Sequence, residues 1–209
     1  MKITFLAMGC ESLPEELLSS ILKQKGHTVH NFFDPMLFAD ELYFSNKTLA
    51  RWFSITEQII DDAVHTNSDI YAFTTLVNNF EWVKRVSIEL KKRTKAKILL
   101  GGVYPTTCPD EVLNAEWVDM VCVGDGEEAI VELMDNINKT DIPGIWFKKG
   151  KEIIKNPHRH LLNDIDNLPF YDKEAYEHDL FYKKWFMIVT SRGCPFSCTY
   201  CTESFNTHF

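Results

Sequence analysis

The amino-acid sequence predicts an α/β fold of the flavodoxin-like (Rossmann-like) kind, with a five-stranded parallel sheet and helices on both faces. Two observations carry this. Over the first 140 residues, short apolar runs alternate strictly with amphipathic stretches, as strand–helix units building a parallel sheet do. The runs are also short and apolar, as befits strands buried on both faces.

Ile3 to Met8 is the first strand. Ser12, Leu13, Pro14 and Glu15 then read as a capping box, with proline tolerated in the first turn. Leu17, Leu18, Ile21 and Leu22 give one apolar helical face, and Gly26 ends the helix. Thr28 to Phe33 is the second strand, and Asp34 to Phe44 an aromatic-rich connection. One helix is predicted over 47–65, with Leu49, Phe53, Ile59, Ile60 and Ala63 as core contacts. Ile70 to Phe73 is the third strand and Phe80 to Thr94 the third helix. Its basic end, Lys91, Lys92 and Arg93, suits a solvated helix C-terminus. Ile98 to Leu100 is the fourth strand, and a short helix follows Pro109. Met120 to Val123 and Glu127 to Ile137 are the fifth strand and helix.

After Thr140 the texture changes. Gly144 to Ile154 reads as a small hairpin, and His158 to Lys184 as an ordered polar linker. Trp185 to Thr190 reads as a new strand leading into the cysteines. The expected organisation is therefore 1–140 as a ligand-binding sheet domain, 141–184 as hairpin and linker, and 185–209 as the start of another domain.

A chain of 209 residues, 45% hydrophobic and 25% charged, has ample material for a core. A net charge of -8 disfavours a broad basic surface, so no nucleic-acid partner is expected. No apolar run approaches the roughly 20 residues of a membrane span. The stretch KITFLAMGC lacks the apolar core and cleavage site of a signal peptide. A cytoplasmic, reducing location is the expectation. Three of the six cysteines are scattered (Cys10, Cys108 and Cys122) and three are clustered (Cys194, Cys198 and Cys201). In a reducing compartment such a cluster suggests metal rather than disulfides. Cys108 and Cys122 read as buried packing residues.

Parallel sheets of this type bind ligands beyond the carboxyl ends of their strands. Here those ends are Gly9-Cys10-Glu11, Thr74-Thr75-Leu76, Gly101-Gly102-Val103-Tyr104 and Gly124-Asp125-Gly126-Glu127. Glycines let backbone approach a ligand closely. Gly124 and Gly126 precede a helix, where an anion is favoured, although simple turn geometry also accounts for them. Thiolates suit zinc or iron–sulfur clusters. Zinc normally takes four ligands, and His208 is the nearby candidate for a fourth. A four-iron cluster on three thiolates leaves one iron open to a small molecule.

Cys194-Pro195-Phe196-Ser197-Cys198-Thr199-Tyr200-Cys201, preceded by Thr190-Ser191-Arg192-Gly193, resembles the signature of radical S-adenosylmethionine enzymes. The resemblance implies that Cys194, Cys198 and Cys201 bind a 4Fe-4S cluster and that S-adenosylmethionine chelates its open iron. Cleavage to a 5′-deoxyadenosyl radical would follow, and Tyr200 would pack near the adenine. An external electron donor of flavodoxin or ferredoxin type and a small-molecule substrate are implied partners. The front of the chain resembles the cobalamin-binding domain fused to one group of these enzymes. The resemblance lies in Ile70 to Leu76, Ile98 to Thr106 and Val118 to Glu127, with Asn167-Leu168-Pro169-Phe170 like the family's linker. It implies that Thr74, Thr75, Leu76, Gly101 and Gly102 accommodate the nucleotide tail of cobalamin. The loop that carries a cobalt-ligating histidine in many cobalamin proteins has none here, so cobalamin is expected without a protein histidine ligand. Tyr104 stands where many relatives carry histidine.

Methyl transfer is the leading function that the resemblance implies, with ring formation or rearrangement as the near alternative. A cobalamin-independent radical enzyme, a methylthiotransferase and a non-catalytic binding module are the other readings. A complete barrel takes about 250 residues. The sequence is thus expected to be the N-terminal portion of a longer enzyme, ending after the first barrel strand and cluster loop.

Overall fold

The structure is a computed structural model. It describes residues 1–9, 11–40, 44–159, 162, 164–176, 187–194, 196 and 198–202. Five parallel strands form where the apolar runs predict them. They are β1 (Lys2–Met8), β2 (Thr28–Asp34), β5 (Ile70–Thr74), β6 (Lys97–Gly101) and β7 (Met120–Cys122). Two short strands, β3 (Ala39–Asp40) and β4 (Phe44–Ser45), pair apart from the main sheet. The helices are α1 (Leu13–Gln24), α2 (Lys47–Trp52), α3 (Thr56–His65), α4 (Phe80–Arg93), α5 (Val103–Thr107), α6 (Pro109–Asn114) and α7 (Glu127–Asp135).

The sheet is larger than its parallel part. β8 (Ile145–Lys149) and β9 (Glu152–Ile154) form the predicted hairpin, but it joins the main sheet. β8 runs antiparallel beside β7, giving seven strands in the order β2-β1-β5-β6-β7-β8-β9. The reason lies in its side chains. Ile145 and Phe147 bury into the core on one face of the sheet, while Trp146 packs against the core on the other and donates from Nε1 to the Asn156 carbonyl. A hairpin with two apolar faces gains most by extending a sheet already covered on both sides.

Period-two alternation divides the core. In β5, Ile70 and Ala72 face one way, under α1 and α7. Tyr71 and Phe73 face the other way, under α3, α4 and α6. The strand order reverses direction between β1 and β5, which places a crevice at their carboxyl ends.

Three local expectations are corrected. The helix predicted over 47–65 is broken after Trp52. Thr56 donates its hydroxyl to the buried Asp34 carboxylate at the end of β2, and Ser54 Oγ lies 3.2 Å from Thr56 Oγ1. Such short hydroxyl side chains compete with helical backbone bonding. Asn46 caps α2, accepting from the N–H groups of Thr48 and Leu49 at 3.1 Å. Phe53, predicted as core, is half exposed and touches Phe38. The capping box of α1 does not form, because Ser12 accepts no cap bond and Glu15 turns inward. Finally, 187–190 carry no strand, while Trp185 and Phe186 lie outside the described residues, as do Cys10 and His208.

Candidate functional site

The crevice opens into a cavity of about 890 Å³ on the α1/α7 side of the sheet, running up to the carboxyl ends of β5, β6 and β7. Small side chains make the room. Ala72 and Cys122 stand on strands whose neighbours present Phe5 and Leu99, and Gly126 brings only backbone where a side chain would meet Cys122. A Cβ on Gly126 would lie 3.4 Å from Cys122 Sγ. Burial pushes the Cys122 thiol up to about 12, with Glu127 and Asp125 adding to it, so Cys122 is an inert wall.

The rim is built from turns that need glycine. Gly102 has φ 98° and ψ -169°, a region that only glycine occupies readily. A Cβ there would sit 2.9 Å from the Thr75 carbonyl oxygen. The β5 and β6 ends are thus laced backbone to backbone. Thr75 N–H donates to Gly101 O at 2.7 Å, and Tyr104 N–H to Thr75 O at 3.2 Å. Thr106 ties in the third strand end. Its hydroxyl donates to Gly102 O at 2.8 Å and accepts from Gly124 N–H at 3.1 Å.

Of the residues singled out in the sequence, Thr74, Gly101, Gly102, Gly124 and Gly126 line the cavity together. Thr75 is fully buried beneath the rim, and Leu76 is exposed above it. Tyr104 is outside the lining. Its hydroxyl donates to Glu111 at 2.8 Å and its ring stands edge-on to Phe80. The N-terminus of α7, where the glycines favour an anion, takes much of its negative charge from the chain's own Glu127 and Glu128.

A polar cluster beside the cavity was not legible in the sequence. Glu15 is 2% exposed; its carboxylate accepts from Thr74 N–H at 3.0 Å and from the Tyr176 hydroxyl at 3.2 Å. Burial raises it to about 7 against the pull of those bonds. Glu16 is raised to about 8, first by burial and then by the nearby Glu11, while Lys173 pulls it down. Lys173 Nζ lies 2.6 Å from Glu11 Oε1 and donates to the Met187 carbonyl at 2.8 Å. It approaches Glu16 Oε2 to 2.7 Å as an ion pair without hydrogen-bond geometry. Asp172 accepts from Ser19 and Lys23 at 2.5 and 2.6 Å. These bonds clamp 172–176 onto α1. In the sequence, Glu15 reads as the acid of a capping box.

The same bonding carries the cysteine-bearing segment over the cavity. Val189, Arg192, Gly193 and Thr202 join its lining, and Arg192 reaches Glu127 at 2.5 Å. Cys194, Cys198 and Cys201 are half-buried, and Cys201 N–H donates to Cys198 O at 3.1 Å. Three thiolates are the right donor chemistry for an iron–sulfur cluster. Among the described residues, however, no three Cys, His, Asp or Glu converge to hold a metal. Tyr200 is 89% exposed. The cavity, by contrast, fits a corrinoid. It is mostly apolar, its rim is glycine backbone, and it keeps one orphaned carboxylate oxygen, Glu127 Oε2. Among the described residues, its lining includes no histidine.

Fold and cavity together define a doubly wound α/β ligand-binding domain. Residues 10–134, more than half of the chain, match the B12 binding domain. The chain belongs to that family. It is 27% identical over 198 residues to the anaerobic magnesium-protoporphyrin IX monomethyl ester cyclase of Cereibacter sphaeroides, covering 89% of this chain and 30% of the cyclase. It is 28% identical over 152 residues to the cobalamin-dependent radical SAM methyltransferase TokK of Streptomyces tokunonensis, covering 64% of this chain and 22% of TokK. The solved structure of the cobalamin-dependent S-adenosylmethionine radical enzyme OxsB superposes with a TM-score of 0.70 at 19% identity, over 95% of this chain and 28% of OxsB. That last likeness is one of fold. The chain thus spans less than a third of each of these proteins.

Proposed function

We propose that this chain binds cobalamin at the carboxyl edge of its sheet, as the front part of a cobalamin-dependent radical S-adenosylmethionine enzyme. One observation carries the reading. The cavity of the B12 binding domain is lined by Gly101, Gly102, Gly124 and Gly126 and covered by the segment that bears the three cysteines. A corrinoid there would lie next to that segment, where a second cofactor is needed. Thr74, Gly101 and Gly102 would receive the nucleotide tail, with Thr75 and Leu76 shaping the rim. Cobalt would have no protein histidine ligand. Bound cobalamin supplies a cobalt centre able to carry a methyl group, and the chain's residues hold it and exclude water.

Cys194, Cys198 and Cys201 are the proposed 4Fe-4S ligands, with S-adenosylmethionine on the open iron and an external flavodoxin- or ferredoxin-type donor. Methyl transfer to a small molecule is the activity that the likeness to TokK supports. Cyclisation is the second reading, favoured by the cyclase match over 89% of the chain. Titration of the chain with hydroxocobalamin, followed by absorbance and equilibrium dialysis, tests the core of the reading. Saturable 1:1 binding is expected, and absence of corrinoid binding refutes it.

A further inference from the structure

We propose that Glu127 recognises the ligand of the cavity directly, its free carboxylate oxygen accepting a hydrogen bond from an N–H or O–H group of the corrinoid. This rests on the corrinoid reading above. Glu127 is 7% exposed, lines the cavity, and opens α7. Its two oxygens differ. Oε1 is paired with Arg192 at 2.5 Å, whereas Oε2 is buried with no hydrogen-bond partner among the described residues. Buried polar atoms without partners are few in folded proteins, and each calls for an explanation. A carboxylate oxygen left dry is costly, more so than a neutral group.

None of the lining's own donors, the hydroxyls of Thr106, Tyr171 and Thr202 among them, is bonded to Oε2. Leu18, Cys122, Gly126 and Ile130 present hydrocarbon, a thiol and a backbone turn. A ligand that enters the cavity can supply the missing donor, once a slight turn of the carboxylate uncovers Oε2, which lies closed off. Cobalamin carries two kinds of donor, the carboxamides around its ring and the ribose hydroxyl of its nucleotide tail. Either satisfies Oε2, and the arginine on Oε1 holds the carboxylate in place to receive it.

The test compares wild type, Glu127→Gln, Glu127→Ala and Arg192→Gln, each titrated by absorbance with hydroxocobalamin and with dicyanocobinamide, which lacks the tail. Circular dichroism and thermal melts confirm that each apo variant is folded. If Glu127→Ala fails to fold, the isosteric Glu127→Gln carries the comparison. In it, an amide N–H2 faces either Arg192 or the ligand's donor. Loss of a charged acceptor predicts hydroxocobalamin affinity roughly 10- to 100-fold weaker in the Glu127 variants, with a smaller loss in Arg192→Gln. Loss confined to hydroxocobalamin assigns the donor to the tail, and loss with both ligands assigns it to the ring. Wild-type affinity in both Glu127 variants overturns the proposal and leaves the corrinoid reading intact. An equal loss in Arg192→Gln also overturns it, reducing Glu127 to an anchor for the cysteine segment. Failure of the wild type to bind either ligand overturns the corrinoid reading itself.

Discussion

Glu15 sets a measurable pH dependence. Its carboxyl is buried under the β5 end and held at about 7 instead of 4.5. Between those values the unfolded chain releases the proton while the folded chain keeps it. The folded state therefore binds more protons, and stability falls as pH rises through this window, then levels off above about 7. A displacement of that size corresponds to roughly 3 kcal/mol once Glu15 is ionised. Glu15→Gln removes the titration and keeps the contacts. Its amide oxygen still accepts from Thr74 N–H, and its N–H2 can donate to the Tyr176 hydroxyl. Glu16 titrates over an overlapping range in both proteins and cancels in the comparison. Urea unfolding at pH 4.5, 6 and 8 is the assay. The variant is expected to match wild type near pH 4.5 and exceed it by about 3 kcal/mol at pH 8. A stability difference that does not change with pH refutes the reasoning, as does a variant weaker than wild type at pH 8.

Two further outcomes follow from the rim and the core. Gly102→Ala forces a side chain into a glycine-only backbone region at roughly 1–3 kcal/mol, and its Cβ meets the Thr75 carbonyl at 2.9 Å. A lowered urea midpoint and weakened hydroxocobalamin binding are expected together, and an unchanged midpoint contradicts the close approach. Asp34→Ala strips the acceptor from Thr56, from Trp82 Nε1 at 3.1 Å and from Met36 N–H at 3.0 Å, all beneath a carboxylate that is almost fully buried. A loss of at least about 3 kcal/mol in urea unfolding is expected, and a loss under about 1 kcal/mol shows that these groups find other partners.

What the sequence alone determined is what local chemistry encodes. Strand and helix periods are written in neighbouring residues, so the five parallel strands and the amphipathic helices between them were legible. So was the need for glycine at Gly102, where the backbone must turn at the sheet's edge. The spacing of Cys194, Cys198 and Cys201 named their donor chemistry, although the structure does not gather them. Tertiary structure decided what depends on residues far apart in the chain. The hairpin reads as an appendage until Ile145, Trp146 and Phe147 find two cores to fill. Ser54 and Thr56 look helical until Asp34 arrives from β2 to claim a hydroxyl. Glu15 reads as the acid of a capping box, and only the docking of 172–176 shows it buried together with Glu16. The glycine rim of the cavity was legible, but the room beneath it was not. That room arises because Ala72, Cys122 and Gly126, from separate elements, are all small where α1 and α7 cross the sheet. The partner that Glu127 finds in Arg192, 65 residues away in sequence, likewise exists only once the chain has folded.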